Sequence, residues 1–278
     1  MPTLRLIPLT VLALLAFAGN SLLCRLALQH TSIDAASFTT IRLASGSLVL
    51  WLLVQARRQL PAGRGSWPSA LALFAYAAAF SFAYSTLPAG TGALLLFGTV
   101  QASMIGWGLV KGERFAPLQL AGLMLALGGL IGLLVPGLAA PPLGGALLMI
   151  VAGVAWGMYS LRGKAAGDPM RVTAGNFVRT VPLAVALSLL TLSRARLDTA
   201  GVAYAAASGA ITSGIGYAIW YTALPHLRAS TAATLQLSVP VIAALGGTLW
   251  LGEPLTLRLV LAASAILGGI ALVIRQRR

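Results

Sequence analysis

Tyr221-Thr222-Ala223-Leu224-Pro225 repeats, 137 residues later, the stretch Tyr84-Ser85-Thr86-Leu87-Pro88. Arg42 and Arg179 stand at the same offset of 137. Gly112-Glu113 returns as Gly252-Glu253, and Gly128-Gly129 as Gly268-Gly269, both at an offset of 140. Four matches in order, with offsets differing by three residues, read as a tandem duplication. The two copies are 1–137 and 138–278, and Pro136-Gly-Leu-Ala-Ala-Pro-Pro142 is the hinge between them.

Around these landmarks lie ten apolar runs: 7–29, 34–55, 67–87, 91–110, 117–135, 143–161, 172–192, 201–224, 229–251 and 256–274. Each approaches the roughly 20 residues that carry a helix across a hydrocarbon core of about 30 Å. The composition agrees. Only 9% of the 278 residues are charged and 58% are hydrophobic. A soluble domain carries about 25% charged residues, so lipid is the solvent for the outward faces. The fold class is therefore an all-α integral membrane protein of ten transmembrane helices. Five spans per copy is an odd number, so the second copy enters the membrane upside down. Two inverted five-helix repeats are a recurring plan of secondary transporters, with the site between the halves near the midplane.

A net charge of +14 would suggest nucleic acid in a soluble chain. Its distribution says otherwise. With the N-terminus inside, 13 basic residues fall on the inner side: Arg5, Arg57, Arg58, Arg64, Lys111, Arg114, Arg162, Lys164, Arg171, Arg228, Arg275, Arg277 and Arg278. Four fall outside, namely Arg25, Arg194, Arg196 and Arg258. This is the positive-inside asymmetry. It places both termini in the cytoplasm and removes the need for a nucleic-acid partner. Arg5 ahead of an apolar run could mark a secretory leader; the run is read instead as a repeat member, because the second copy begins in the same way. The lone Cys24 and the separated His30 and His226 offer no disulfide and no metal site.

On Ile41-Arg42-Leu43-Ala44, Tyr221-Thr-Ala-Leu-Pro225, Pro240 and Leu251-Gly252-Glu253-Pro254-Leu255, the chain resembles the EamA family of the drug/metabolite transporter superfamily. Within that family it resembles the aromatic amino acid exporters of the YddG type. The first copy departs from the pattern, with Val100 opposite Pro240 and Lys111-Gly-Glu-Arg-Phe115 opposite the Gly-Glu-Pro run. The resemblance implies a monomer that exports small metabolites such as amino acids, purines or drugs across the bacterial inner membrane.

The residues themselves bound the chemistry. The five acids, Asp34, Glu113, Asp168, Asp198 and Glu253, sit at span ends or in loops. Proton-coupled carriers need an intramembrane relay, so a facilitator or exchanger is expected, with Glu113 or Glu253 reaching inward as the alternative. No buried nucleophile–base pair, HExxH or Walker sequence is present, which argues against an enzyme and against a cofactor. Candidate substrate-binding residues are Asn20, Tyr76, Phe80, Tyr84, Gln101, Trp156, Tyr159, Tyr217 and Gln236. Tyr76, Phe80 and Tyr84 share one helix face. Walls of this kind suit a flat amphipathic solute. Trp67, Trp107, Trp250 and Trp220 fit the interfacial belt. Arg42 and Arg179 are either clamps on a substrate carboxylate or structural groups bonding loose carbonyls; their repetition favours structure. Pro182 and Pro240 should bend their spans, and Pro240 is the gating candidate. Gly128-x-x-x-Gly132 and Gly153-x-x-x-Gly157 should let helices approach closely. Amino acids are the leading cargo. The alternatives are drug or purine efflux, or a non-transporting membrane subunit.

Overall fold

The computed structural model describes residues 3–57, 64–112, 116–137, 140–163, 167–227, 232 and 235–275. Glu113, Arg58, Arg114, Lys164, Arg228, Arg277 and Arg278 lie outside them, as does most of the start of the ninth apolar run. The helices are α1 (Thr3–His30), α2 (Ala35–Ala56), α3 (Trp67–Tyr84), α4 (Ala89–Val110) and α5 (Pro117–Leu134), followed by α6 (Leu143–Gly163) and α7 (Pro169–Leu190). Then come α8 (Thr199–His226), α9 (Ser238–Leu251) and α10 (Leu257–Arg275). Among the described residues nine of these are long and apolar enough to cross a membrane, and α9 is the shorter tenth. Their outward faces expose Leu48, Leu71, Met124, Leu190 and Leu249, which only a hydrocarbon surround makes tolerable. The chain is a multi-pass membrane protein.

Local chemistry sets the helix starts. Proline opens α5 and α7, and Pro68 sits in the first turn of α3, where a missing N–H costs nothing. Asp168 caps α7 through the Arg171 N–H at 2.8 Å. Asp34 caps α2, accepting from the Ala36 and Ser37 N–H groups at 3.0 and 2.9 Å. Its second oxygen accepts from the Arg196 N–H at 2.9 Å, tying the α1–α2 connection to the α7–α8 connection. Burial pushes the Asp34 carboxyl up, but these hydrogen bonds outweigh it and hold it below its ordinary value of 3.8. A depressed carboxylate contributes stability above that ordinary value and loses it as pH falls through the folded-state value. Asp34→Ala should therefore lower stability by about 0.5–2 kcal/mol at neutral pH. In thermal melts in detergent, the gap to the parent should close as pH drops below 3.8.

The helix pairs follow one pattern. α2 packs on α7, and α5 on α10; α3 packs on α6 as α8 packs on α1; α4 packs on α6 as α9 packs on α1. Exchanging each helix with the one five places along reproduces these pairs. The α5–α10 contact runs antiparallel, from Gln119 Nε2 on the Val273 carbonyl (3.2 Å) to Arg258 on the Val135 carbonyl. Here Gly129 faces Ala265 and Ile266, while Gly269 faces Gly122 and Ala126.

Gly153 and Gly157 meet Thr99 and Ser103 of α4, as the small-residue spacing implied. Gly128 and Gly132 do not serve in this way. Nothing lies within 4 Å of where their side chains would be. The helical turn puts Gly122 and Gly129 on the contact face instead.

Two helices depart from regular geometry. α8 is α-helical to Ala207, π-helical over Ser208–Ile215 and α-helical again over Gly216–Ala223, and it ends in a 3-10 turn at Leu224–His226. The ninth predicted span is interrupted at Leu237, before α9 starts at Ser238. Pro240 has no N–H for the Gln236 carbonyl, which accounts for the interruption. Pro182 stands inside α7 without ending it.

Candidate functional site

A cavity of about 440 Å³ lies among α1, α3, α4, α6, α7, α8 and the turn before α9. It extends from Asn20, Phe80 and Thr212 at mid-bundle to Ser69, Gly163, Pro169 and Leu224. Those last four stand at the end of the bundle that carries the 57–66 and 164–168 connections, the basic end.

Eight of the nine candidate residues line this cavity: Asn20, Tyr76, Phe80, Gln101, Trp156, Tyr159, Tyr217 and Gln236. Tyr84 does not. It is fully buried toward the far end, its hydroxyl donates to the Ala89 carbonyl at 3.2 Å, and its ring packs edge-on against Phe80. The four-residue spacing aligned it with Tyr76 and Phe80, but the cavity ends before its turn of α3. Trp220 is likewise no belt residue, being buried on the cavity wall beside Phe17. Trp67, Trp107 and Trp250 are exposed.

The aromatic side chains form a continuous wall. Trp156 stacks on Tyr217 (5.6 Å, 18°), lies tilted to Tyr76 at 4.7 Å and touches Tyr159 at 5.3 Å. Offset and tilted contacts at such distances are each worth about 0.5–1.5 kcal/mol beyond area burial. α7 adds a second polar strip that sequence reasoning missed. The Tyr159 hydroxyl donates to Thr173 Oγ1 (3.3 Å), which donates to the Tyr221 hydroxyl (3.2 Å). Asn176 Oδ1 accepts from the Ser66 N–H at 2.8 Å, closing the strip toward the basic end. The spacing Thr173–Asn176 was visible, but small polar residues in a span carry little signal until a tyrosine is known to face them. The π-helical turn was also unreadable. It brings Ser208 and Thr212 onto Asn20 Oδ1, at 2.7 and 3.3 Å.

The repeated arginines diverge. Arg42 is 2% exposed, and its Nη2 donates to the Tyr76 hydroxyl at 3.0 Å. Its guanidinium lies 4.8 Å from the Phe80 ring centre and 5.4 Å from that of Tyr76. Nε and Nη1 have no partner among the described residues. Arg179 instead donates to the Gly175 carbonyl of its own helix at 2.7 Å. Gly175 lies inside α7, so Arg179 bonds its own helix and not a loose carbonyl at a helix end, whereas Arg42 reaches a neighbouring helix.

At the far end the bundle is closed. Arg25 Nε binds Glu253 Oε1 at 2.9 Å, and Arg25 Nη1 donates to the Tyr84 carbonyl at 3.1 Å. Glu253 Oε2 accepts from the Ala89 N–H at 2.7 Å, at the start of α4. The two side chains are 11% and 13% exposed. Glu253 thus turns inward from its loop, joining α1, α3, α4 and the α9–α10 connection. Among the described residues the cavity lining contains no carboxylate and no histidine.

The model of the EamA-like transporter family matches residues 143–275, the segment from the start of α6 into α10. An uncharacterized Pseudomonas aeruginosa protein is 59% identical over all of this chain and 97% of its own. The threonine/homoserine exporter RhtA of Salmonella typhimurium is 28% identical over 88% of this chain and 84% of its own. RhtA of Escherichia coli K12 is 27% identical over the same shares. A solved crystal structure superimposes at a TM-score of 0.67 over 97% of this chain and 96% of its own, at 19% identity, which shows the shared fold. This chain belongs to the EamA-like transporter family.

Proposed function

We propose that the chain exports amino acids by alternating access, as a facilitator or exchanger without catalytic chemistry of its own. It acts as a monomer in the bacterial inner membrane with both termini in the cytoplasm. The observation that carries the reading is the mid-bundle cavity, reaching the basic end and shut at the far end by Arg25, Glu253 and Tyr84. By the positive-inside rule the basic end is cytoplasmic, so the cavity stands ready to load from inside. The exchange symmetry of the helix pairs and the antiparallel α5–α10 contact support two inverted five-helix halves. Such halves can rock between two equivalent packings. The exporter RhtA relatives support amino-acid cargo, and the aromatic wall favours a cargo with an apolar side chain. An aromatic cavity with polar groups set into its wall, reaching one end of the bundle, counts against a non-transporting subunit.

The test is flux of labelled threonine and phenylalanine into proteoliposomes, with and without a pH gradient. Flux down the amino-acid gradient alone, accelerated by unlabelled amino acid on the other side, is expected. Strict dependence on the pH gradient would remove the facilitator reading, and no flux of either would remove the cargo. Trp156→Ala and Gln101→Leu should each reduce flux by about 5-fold or more, a loss of ~1 kcal/mol. Unchanged flux in both would take the cavity out of the transport path.

A further inference from the structure

The Asn20–Tyr76 corner of the cavity offers hydrogen-bond donors and no acceptor. A phenol oxygen accepts two hydrogen bonds and donates one. The Tyr76 oxygen already accepts from Arg42 Nη2 at 3.0 Å, with Asn20 Nδ2 at the 3.5 Å limit of reach. No described residue accepts the Tyr76 hydroxyl proton, and Tyr76 lines the cavity. Asn20 Oδ1 accepts from the Ser208 hydroxyl at 2.7 Å, while Thr212 sends its own proton to the Ser208 carbonyl at 2.7 Å. The Ser208 donor sets the amide orientation, leaving Nδ2 as a second donor at the cavity edge.

Behind this corner lies the Arg42 charge, buried and without a carboxylate partner among the described residues. Its two ring contacts recover only about 0.5–2 kcal/mol, against a desolvation cost of several kcal/mol for a buried ion. The inward-turned carboxylate of Glu253 is held by Arg25 at the far end. A cation in a low-dielectric wall polarises the hydroxyl it touches and projects positive potential into the adjoining space. An anionic group in the cavity would meet that potential at Tyr76 and Asn20, which line it.

We propose that Tyr76 and Asn20, backed by Arg42, form the subsite for the carboxylate of the transported amino acid. Tyr76 and Asn20 touch the carboxylate oxygens. Arg42 is a positioning residue: it holds the phenol oxygen as an acceptor, so that the proton points into the cavity, and supplies the charge. The Trp156–Tyr217 stack is left to face the amino-acid side chain. This inference rests on the amino-acid reading above and specifies its recognition chemistry.

The experiment compares phenylalanine, its methyl ester and phenethylamine as ligands of the purified full chain in detergent. Binding is read by quenching of tryptophan fluorescence, since Trp156 and Trp220 line the cavity. Phenylalanine should bind about 10-fold or more tightly than the ester and the amine, the scale of one charge-assisted hydrogen bond. Tyr76→Phe should erase that preference. Because this variant strips Arg42 of its hydrogen-bond partner and can unfold the chain, Asn20→Asp is the second arm. A carboxylate there would occupy the subsite, abolishing phenylalanine binding while strengthening that of phenethylamine. Equal binding of all three ligands, or a preference for phenylalanine retained in Asn20→Asp, overturns the subsite but leaves amino-acid export standing. Carboxylate-selective binding without proteoliposome flux overturns export but leaves the subsite. No binding of any ligand overturns both.

Discussion

Arg25→Ala or Glu253→Ala should destabilise the protein by about 3–5 kcal/mol, because each leaves the other charge buried without its partner. The ion pair at 2.9 Å is supported on both sides, by the Tyr84 carbonyl and by the Ala89 N–H. Removing Glu253 strands the Arg25 guanidinium and the first donor of α4 together. The double variant Arg25→Met/Glu253→Leu should be more stable than either single one, since replacing a whole buried pair by apolar groups is often neutral. Thermal melts in detergent check both statements. If either single variant melts with the parent, the far-end seal does not hold the bundle as described. The same variants bear on transport. Opening toward the far end requires this pair to part, so a loosened pair shifts the population toward the outward-open packing.

Gly209→Val should prevent accumulation of folded protein. Any Cβ at Gly209 would collide with the Arg42 carbonyl and Ser45 Oγ, because the π-helical turn of α8 presses directly on the backbone of α2. From the other side, a Cβ at Gly46 would meet the Gly209 carbonyl at 3.0 Å and Phe177 at 2.9 Å. The Arg42 and Gly209 carbonyls are backbone, so turning the Ser45 hydroxyl aside does not remove the clash and relief requires separating the helices. Overpacking in a core costs about 1–3 kcal/mol per site, and more when backbone must move. Gly128→Ala is the control: it faces open space, and the protein should accumulate and melt like the parent. Equal yields of Gly209→Val and parent in membranes would contradict the close α2–α8 packing.

Much of this was readable from residue order. Ten apolar runs and a lopsided distribution of arginine and lysine are coarse signals, summed over twenty residues at a time, and local error averages out. Tyr76, Phe80, Trp156 and Tyr217 were readable for a related reason: large aromatics deep in a span have few other places to go. The finer geometry was not readable. Tyr84 and Phe80 are one turn apart and chemically alike, and only the depth of the cavity separates wall from plug. Arg42 and Arg179 occupy equivalent positions, yet Arg42 finds a tyrosine on a neighbouring helix whereas Arg179 finds a carbonyl of its own. At the offset of 137 that aligns the two arginines, Ser213 stands opposite Tyr76, so Arg179 has no phenol at that place. The π-helical turn also left no trace, because Ser208–Ile215 has the composition of an ordinary span. Glu253 was visible as a boundary acid, but its direction depends on where Arg25 stands across the bundle.

Single-cysteine labelling at the cavity tests the whole arrangement most directly. Cys24 is buried, so Cys24→Ala supplies a background in which Ser160→Cys on the cavity wall is the only thiol. A membrane-impermeant thiol reagent is added from each side in turn, with and without amino acid. The expected result is rapid labelling from the cytoplasmic side, slowed by bound amino acid, with far-side labelling slow in the intact protein and accelerated when Arg25→Ala/Glu253→Ala breaks the seal. Labelling at equal rates from both sides in the intact protein would mean a continuous pore, and labelling from neither would mean no passage; each contradicts a carrier that opens to one side at a time.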